Sequence, residues 1–408
     1  MESYSPRVRD LLARGVRMPH PASVWVDDSV VPARIAADVT IHPGCRISGA
    51  QTAIGAGSVL GAEAPMTVED CQLGAGVELK GGYAAGAVFL DGANAGSGAH
   101  IRAGTLLEEE ASVAHTVGLK QTILLPFVTT GSLVNFCDCL MAGGTSRKNH
   151  SEVGSSYIHF NFTPHQDKAT ASLIGDVPRG VMLNQAPIFL GGQGGLVGPA
   201  HIGFGCVIPA GVVWRRDAPG DHLILYPPAE TAHVPRPYRM NVYRDAARIL
   251  HANLRYLGNL RALREWYVHV RAPAMSGVHS RMCWEGAVRQ LDVVLVERRK
   301  RLAEWVGKLA ASAALLQQDS SEAAVREGQV QARIVQTWTK VEEALDQGPG
   351  DAGQVERHAF LAAWSARTAT SYVAAVAGLT EGQRKQGTTW LQAVVDATVS
   401  AGSAAERN

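Results

Sequence analysis

An apolar residue returns at every sixth position along much of this chain. Leu190, Leu196, Ile202 and Ile208 are six apart, as are Ala95, Ile101, Leu107, Val113, Leu119 and Leu125, and as are Ile35, Ile41 and Ile47. Small or polar residues fill the gaps, chiefly Gly, Ala, Ser, Thr and Asp. Neither the 3.6-residue period of a helix nor the strict alternation of a simple strand gives this spacing. A hexapeptide coil does. Each six-residue unit forms one flat side of a prism, its apolar residue points into the shaft, and three units close one turn. The repeat predicts a parallel β-helix over residues 30–217, with Ile101, Leu107, Leu119, Leu196, Ile202 and Ile208 facing inward.

Residues 1–29 read as a lead-in segment with a short helix and a Pro-rich turn at Met18-Pro19-His20-Pro21. The beat stops over residues 141–188, a polar stretch rich in His, Asn and Lys, and resumes from Ile188 to about Asp217. Loops that interrupt a rigid scaffold are where chemistry is usually mounted, so 141–188 is expected to be an inserted site loop. A Pro-rich linker is expected at 218–237. Beyond it glycine thins out and apolar residues fall at helical spacing: Leu250, Leu254 and Leu257; Leu302, Trp305, Val306 and Leu309; Val335, Trp338, Val341 and Leu345; Trp364, Tyr372, Val376 and Leu379. This pattern predicts an α-helical domain over 238–408, built from four to six helices and broken at Gly348-Pro349-Gly350.

Composition changes this picture little. The 408 residues carry a net charge of +1, which gives no global pull toward nucleic acid or membrane. No apolar core of a leader segment and no run of 18 apolar residues stands out, so a cytoplasmic protein is expected. The six cysteines are scattered with no C-x-x-C pair, as expected of free thiols in a reducing compartment, and no metal site is expected. Charge is uneven in the helical part. Residues 236–308 hold 15 Lys/Arg against 6 Asp/Glu, whereas 309–408 hold 8 against 11. A solvated helix face explains that bias, as would an anionic ligand or an acidic partner. Glu108-Glu109-Glu110 reads as a solvated coil edge rather than a cluster of bases, and Gly191-Gly192-Gln193-Gly194-Gly195 as a flat coil.

Three stretches resemble a known family. IFLGGQGGLVGPAHIGFGCVIPAGVVWRRD (188–217) resembles the final coils of bacterial glucosamine-1-phosphate N-acetyltransferases, the carboxy-terminal half of the bifunctional GlmU enzymes. HFNFTPHQDKATASLIGD (159–176) resembles that family's Asn-Tyr-Asp-Gly segment, its following Lys and its Thr-x-Ile-Gly-Asp coil start. HIRAGTLLEEEASVAHTVGLKQ (100–121) resembles its Arg-Pro-Gly turn and lysine-bearing coil. The likeness spans about 91–217. It implies a left-handed β-helix, so the expected fold class is mainly β, a left-handed parallel β-helix followed by a C-terminal α-helical region. It also implies a homotrimer with the pocket between adjacent β-helices, and acetyl-CoA or another acyl-CoA as co-substrate.

Position by position, the resemblance places Arg102 and Lys120 on the phosphate of an amino sugar phosphate, with Asn135 and Asn161 in the substrate pocket. Phe162 replaces a Tyr, and Lys168 stands near a substrate lysine, offset by a two-residue difference in length. Gly192, Ala210 and Gly211 fall on the acyl-CoA side. The family's general-base His is replaced: its Gly-His-Leu-Thr-Tyr coil aligns with Gly131-Ser132-Leu133-Val134-Asn135. Ser132 cannot take a proton from an ammonium near neutral pH. A base would have to come from His159, His165 or His150. His159 is the first choice, because residues two apart on an extended segment share a face and would put it beside Asn161. The expected activity is acyl transfer from acyl-CoA to an amine of an amino sugar phosphate or nucleotide sugar. The alternative is a repurposed β-helix that binds such a ligand without turning it over. A nucleotidyl-transfer role is not expected, because residues 1–30 lack a Gly-x-Gly loop.

Overall fold

A computed structural model describes residues 5–224, 238–365 and 371–402. Part of the expected linker, 225–237, and the last residues of the chain lie outside the described residues. The hexad beat becomes a parallel β-helix with three faces. The first face stacks Trp25–Val26, Arg46–Ser48, Met66–Glu69, Gly82–Ala85 and Ala99–Ile101, then continues through Ile158–Phe160 to Val213–Trp214. The second stacks Ala53–Ile54, Gln72–Leu73, Ala87–Phe89 and Thr105–Leu107, and later Ser172–Ile174 and His201–Ile202. The third is a nine-stranded parallel ladder from Thr40–Ile41 to Val207–Ile208.

Every strand pair of the three faces is parallel and in register at one-coil offsets, such as Ile101↔Leu119 and Leu190↔Ile208. The six residues expected to face inward are all buried, at 0 or 1% exposure. Coils begin slightly earlier than expected, since Trp25 pairs with Arg46, and run slightly later, since Val207 bridges Leu223.

The 141–188 stretch is more regular than its polarity suggests. Glu152–Val153, Ile158–Phe160 and Ser172–Ile174 take their places on the three faces. What departs from the coil is an antiparallel hairpin (Gly144–Ser146 with Asn149–His150), the loop after Phe160, and a short helix at Val177–Gly180.

The helical region is not a detached module. Helix Ala246–Trp266 packs on Ser172–Ile174, and the 39-residue helix Val278–Leu316 lies along the second face. Helices Glu322–Gln347, Gln354–Ser365, Tyr372–Ala377 and Glu381–Ser400 complete the layer. Leu250, Leu254, Leu257, Leu302, Trp305 and Leu309 from the expected stripes are all buried in a cluster of their own, while the cluster that fills the shaft continues into the helices through Leu260, Leu263, Trp266, Leu291 and Trp390. The chain breaks helix at 348–353, around Gly348-Pro349-Gly350.

The Glu108-Glu109-Glu110 reading is corrected. Glu108 does point out of the shaft, but the helical layer covers it. Arg271, fully buried, donates to Glu108 Oε2 (2.7 Å) and to Glu109 Oε1 (2.6 Å), and Tyr267 Oη donates to Glu108 Oε1 (2.7 Å). The acidic partner of the basic helices is thus, at this point, the β-helix itself. Burial together with Glu109 raises the Glu108 carboxyl above its usual range, while Arg271 at its side opposes that rise.

Candidate functional site

Strands Gly118–Leu124 and Asn135–Met141 run from the first face round the prism edge into the second without a break. Each turns the corner in the left-handed backbone region, at Gln121 (φ 49°) and Asp138 (φ 63°). Asp tolerates that region better than most residues. The register Ile101↔Leu119↔Phe136 therefore stacks the next residues, Arg102, Lys120 and Cys137, beside the corner.

A cavity of about 180 Å³ opens on this edge, lined by Arg102, Lys120, Gln121, Cys137, Asp138, Asn161 and Lys168, with Glu297 and Arg298 from the long helix. Four residues expected at the substrate, Arg102, Lys120, Asn161 and Lys168, converge here. Asn135, two residues before Cys137, adjoins it and is exposed; its Oδ1 is 3.7 Å from the Cys137 thiol.

The electrostatics are lopsided. Both carboxylates in the wall are engaged. Asp138 pairs with Arg298 (2.9 Å) and accepts from Asn161 Nδ2 (2.9 Å), while Glu297 pairs with Arg301 (2.7 Å). The side chains of Arg102, Lys120 and Lys168 have no ion pair or hydrogen bond among the described residues. Burial pushes the Cys137 thiol up, with Asp138 adding to the rise and the three cations opposing it. Three unpaired cations and a side-chain amide around a small polar cavity suit a phosphate-sized anion carrying hydroxyls.

The edge between the third and first faces is made of small residues. The backbone nitrogens of Leu133, Ser156, Gln193 and Gly211 donate in turn to the carbonyls of His115, Ser132, Ser155 and Gly192. Ser132, Gly192 and Gly211, with Ala210 beside it, therefore stand on one column. A Cβ on Gly191 would run into the backbone nitrogen of Ala210, and one on Gly154 into that of Gly192, so these corners close only without side chains. Only the width of the first face separates this column from the cation edge.

The histidines are not where sequence reasoning puts them. His159 is corrected: its imidazole points into the shaft and is 3% exposed. It stacks in register with Leu196 and lies edge-on to Phe136. Nδ1 donates to the Cys137 carbonyl (2.6 Å), and Nε2 lies 2.8 Å from Ser172 Oγ. Burial pulls its pKa down to about 4. Strand parity, fixed by the coil, sends Ile158 and Phe160 outward, and Asn161 lies past the strand end, so the two-residue rule does not carry over. Val153 is an inward beat, and six residues on is His159, which was the available signal.

His165 occupies a different cavity, with Tyr238 stacked on it (5.8 Å) and Tyr243 beside it (4.8 Å). Its Nδ1 accepts from the Asn241 backbone. His150 sits in the hairpin, with Nδ1 donating to the Arg147 carbonyl (2.8 Å). Two exposed imidazoles that sequence reasoning passed over lie nearer. His100 pairs in register with Gly118 on the first face and stacks on Tyr83, and His115 is the column residue one coil before Ser132. A Cβ on Gly118 would meet the Asn135 side chain at 3.8 Å, ordinary contact, so the two strands stack closely there. Among the described residues no group of three or more His, Cys, Asp or Glu could hold a metal ion, and no helix is long and apolar enough to cross a membrane.

No family model matches the chain. Curated relatives do. The bifunctional protein GlmU of Kineococcus radiotolerans is 28% identical over 224 residues, covering 55% of this chain and 41% of that protein. GlmU of Pelobacter propionicus is 29% identical over 222 residues, 53% and 42% of the two chains. GlmU of Clavibacter sepedonicus is 30% identical over 205 residues, 50% and 37%. The chain thus spans about two-fifths of the length of the relatives it matches, and about half of it is similar to them.

Proposed function

We propose that this protein is a GlmU-like acyltransferase that binds a small phosphorylated amino sugar at the cation edge and transfers to its amine the acyl group of acetyl-CoA or another acyl-CoA laid along the small-residue column. The observation that carries this reading is the convergence of Arg102, Lys120, Asn161 and Lys168 on one cavity, with Gly192, Ala210 and Gly211 one face away. That face is a few residues wide, roughly 7–10 Å at about 3.3 Å per residue, the span of one sugar ring. In direct transfer the amine nitrogen attacks the thioester carbonyl, a base takes the proton from that nitrogen and returns it to the sulfur as the C–S bond breaks, and coenzyme A leaves as the thiol. With His159 buried and Ser132 inert, we assign the base to the imidazoles flanking Gly118, His100 or His115.

The exposed Ile158, Phe160 and Phe162 beside the site support the homotrimer reading, in which neighbouring β-helices cover them. A cytoplasmic location agrees with six cysteines left as free thiols.

The test is acyl transfer from acetyl-CoA to glucosamine 1-phosphate, followed by mass spectrometry, with wild type, Lys120→Met and His100→Ala/His115→Ala compared over pH 6–9. Turnover that is lost in Lys120→Met, and whose acidic limb moves in the double variant, agrees with the reading. A second reading, binding without turnover, rests on Ser132 in place of the family's His. Protection of the fold by the sugar phosphate with no transfer to any amine would select it.

A further inference from the structure

The long helix Val278–Leu316 is built into the candidate site rather than merely laid against it. One helical stripe runs across the coils from Gln72 to Asp138. Gly286 packs on the Gln72 side chain, the Gln290 side chain accepts from Gly104 N (2.8 Å), Val294 closes on Gly104, and Arg298 reaches Gln121 and Asp138. From Gly286 to Arg298 the helix rises about 18 Å at 1.5 Å per residue. From the coil of Gln72 to that of Asp138 is four strand spacings, about 19 Å at 4.8 Å each. The helix keeps pace with the coils, so its last residue in this stripe arrives at the cavity in a fixed place.

Arg298 is 3% exposed and its guanidinium gathers the parts of the cavity wall. Nη2 reaches Asp138 Oδ1 (2.9 Å) and Gln121 Oε1 (2.9 Å), and Nη1 donates to the Lys168 carbonyl (3.3 Å). Through Asp138 it also fixes Asn161, whose Nδ2 donates to the other carboxylate oxygen. Its buried Nε–H has no partner among the described residues. Asp138 is the carboxylate that would otherwise lie free among Arg102, Lys120 and Lys168.

We infer that Arg298 is a positioning residue for anion binding, and that the helical tail thereby completes the site within a single chain. It does so in two ways. It neutralises Asp138, which keeps the three cations free for a ligand, and its fork pins the segment from Asn161 to Lys168 against the β-helix edge. A point charge would do the first and not the second. This inference rests on the anion-binding part of the proposed function.

Cys137 supplies a readout, since it lies in the cavity wall and the other five cysteines are buried. Alkylation of Cys137 by iodoacetamide is followed by mass spectrometry against increasing glucosamine 1-phosphate, with inorganic phosphate in parallel, on the full chain. Wild type is expected to be protected. Arg298→Met is expected to raise the half-protecting concentration at least tenfold, and Arg298→Lys to recover part of that loss. Arg299→Met, which removes an outward arginine paired with Asp346, is expected to leave it within twofold. Arg298→Gln, which keeps a polar side chain but neither the charge nor the fork, replaces Arg298→Met if the latter does not fold, and should show the same tenfold loss. Adding 20 mM guanidinium chloride to Arg298→Ala should restore protection where 20 mM sodium chloride does not. If wild type is protected and Arg298→Met or Arg298→Gln is protected equally well, the positioning role is overturned while the anion site stands. If wild type is not protected at all, the anion site fails and this inference with it.

Discussion

His159 offers the sharpest test of where the chemistry is not. Its ring sits between two fixed partners. The Cys137 carbonyl can only accept, so Nδ1 carries the proton, and Ser172, which already accepts from Ala200 N (3.1 Å), turns its hydroxyl hydrogen toward Nε2. Both nitrogens are spoken for in the neutral form, and protonation would put a charge into the shaft. The folded pKa of about 4 lies below the ordinary 6.5. A depressed histidine contributes stability that is fully present above about pH 6.5 and is lost as pH falls toward 4, because the unfolded chain takes up a proton that the native chain refuses. A shift of that size corresponds to about 3 kcal/mol at 1.36 kcal/mol per unit. His159→Gln keeps a donor and an acceptor but does not titrate. Urea unfolding of both proteins from pH 8 to pH 4 should show wild type losing about 3 kcal/mol relative to the variant, nearly all of it below pH 6.5. His159→Ala should cost about 3–5 kcal/mol at pH 7, since it opens a void and leaves the Ser172 and Cys137 groups unpaired. Parallel pH curves for wild type and His159→Gln would refute the buried-bracket account. So would a variant of unchanged stability whose turnover is abolished, which would return His159 to the role of base.

Arg271→Met should cost about 3–5 kcal/mol in urea unfolding by leaving Glu108 and Glu109 uncompensated, and adding Glu108→Gln should recover part of that loss. Lys120→Met and Lys168→Met should each weaken glucosamine 1-phosphate binding by about tenfold in calorimetry and flatten its salt dependence, with melting temperatures near wild type. Gly191→Ala should lower the melting temperature by several degrees, because its Cβ would collide with the next coil at Ala210. Ser132→His, which puts an imidazole one coil above His115 on the same column, should leave acyl transfer within twofold of wild type at pH 7–8 in the mass-spectrometric assay, because the amine lies below its reach.

Much of this molecule could be read because one coil is close to three hexads. Arg102 and Lys120 are 18 residues apart, so any prism with six-residue sides stacks them. The same arithmetic places Leu190, Leu196 and Ile202 in the shaft. The reading failed where polarity hid the beat. His159 is a polar residue on an apolar position, and the stretch around it looked like a loop although it carries a full set of strands. Glu108 failed differently: its parity was right, since Leu107 faces in and Glu108 out, but nothing local says that a helix covers it. Arg271 and Arg298 meet β-helix partners more than 120 residues away, between segments whose spacings are unrelated, so neither contact leaves a trace in the pattern.

The two departures from the family's site belong together. An imidazole at position 132 would serve an amine at that level of the prism. His115 stands one coil earlier on the same column, and His100 pairs with Gly118, itself one coil below Asn135, so a base drawn from His115 requires the amine to lie lower by about one strand spacing, roughly 4.8 Å, and one drawn from His100 by about two. The segment from Asn161 to Lys168, which differs in length by two residues from its family counterpart, comes down onto Asp138 and Arg298 at the upper side of the cavity. An acceptor held between that segment and a lowered base would have to be set differently along the axis from glucosamine 1-phosphate in the family's pocket. On this argument the cations bind an anion as the resemblance implies, while the preferred amine differs. A panel of amino sugar phosphates and nucleotide sugars should therefore contain an acceptor turned over at least tenfold faster than glucosamine 1-phosphate. A panel in which glucosamine 1-phosphate is fastest, with a pH profile unmoved in His100→Ala/His115→Ala, would place the amine at the family's level and remove the case for a displaced base.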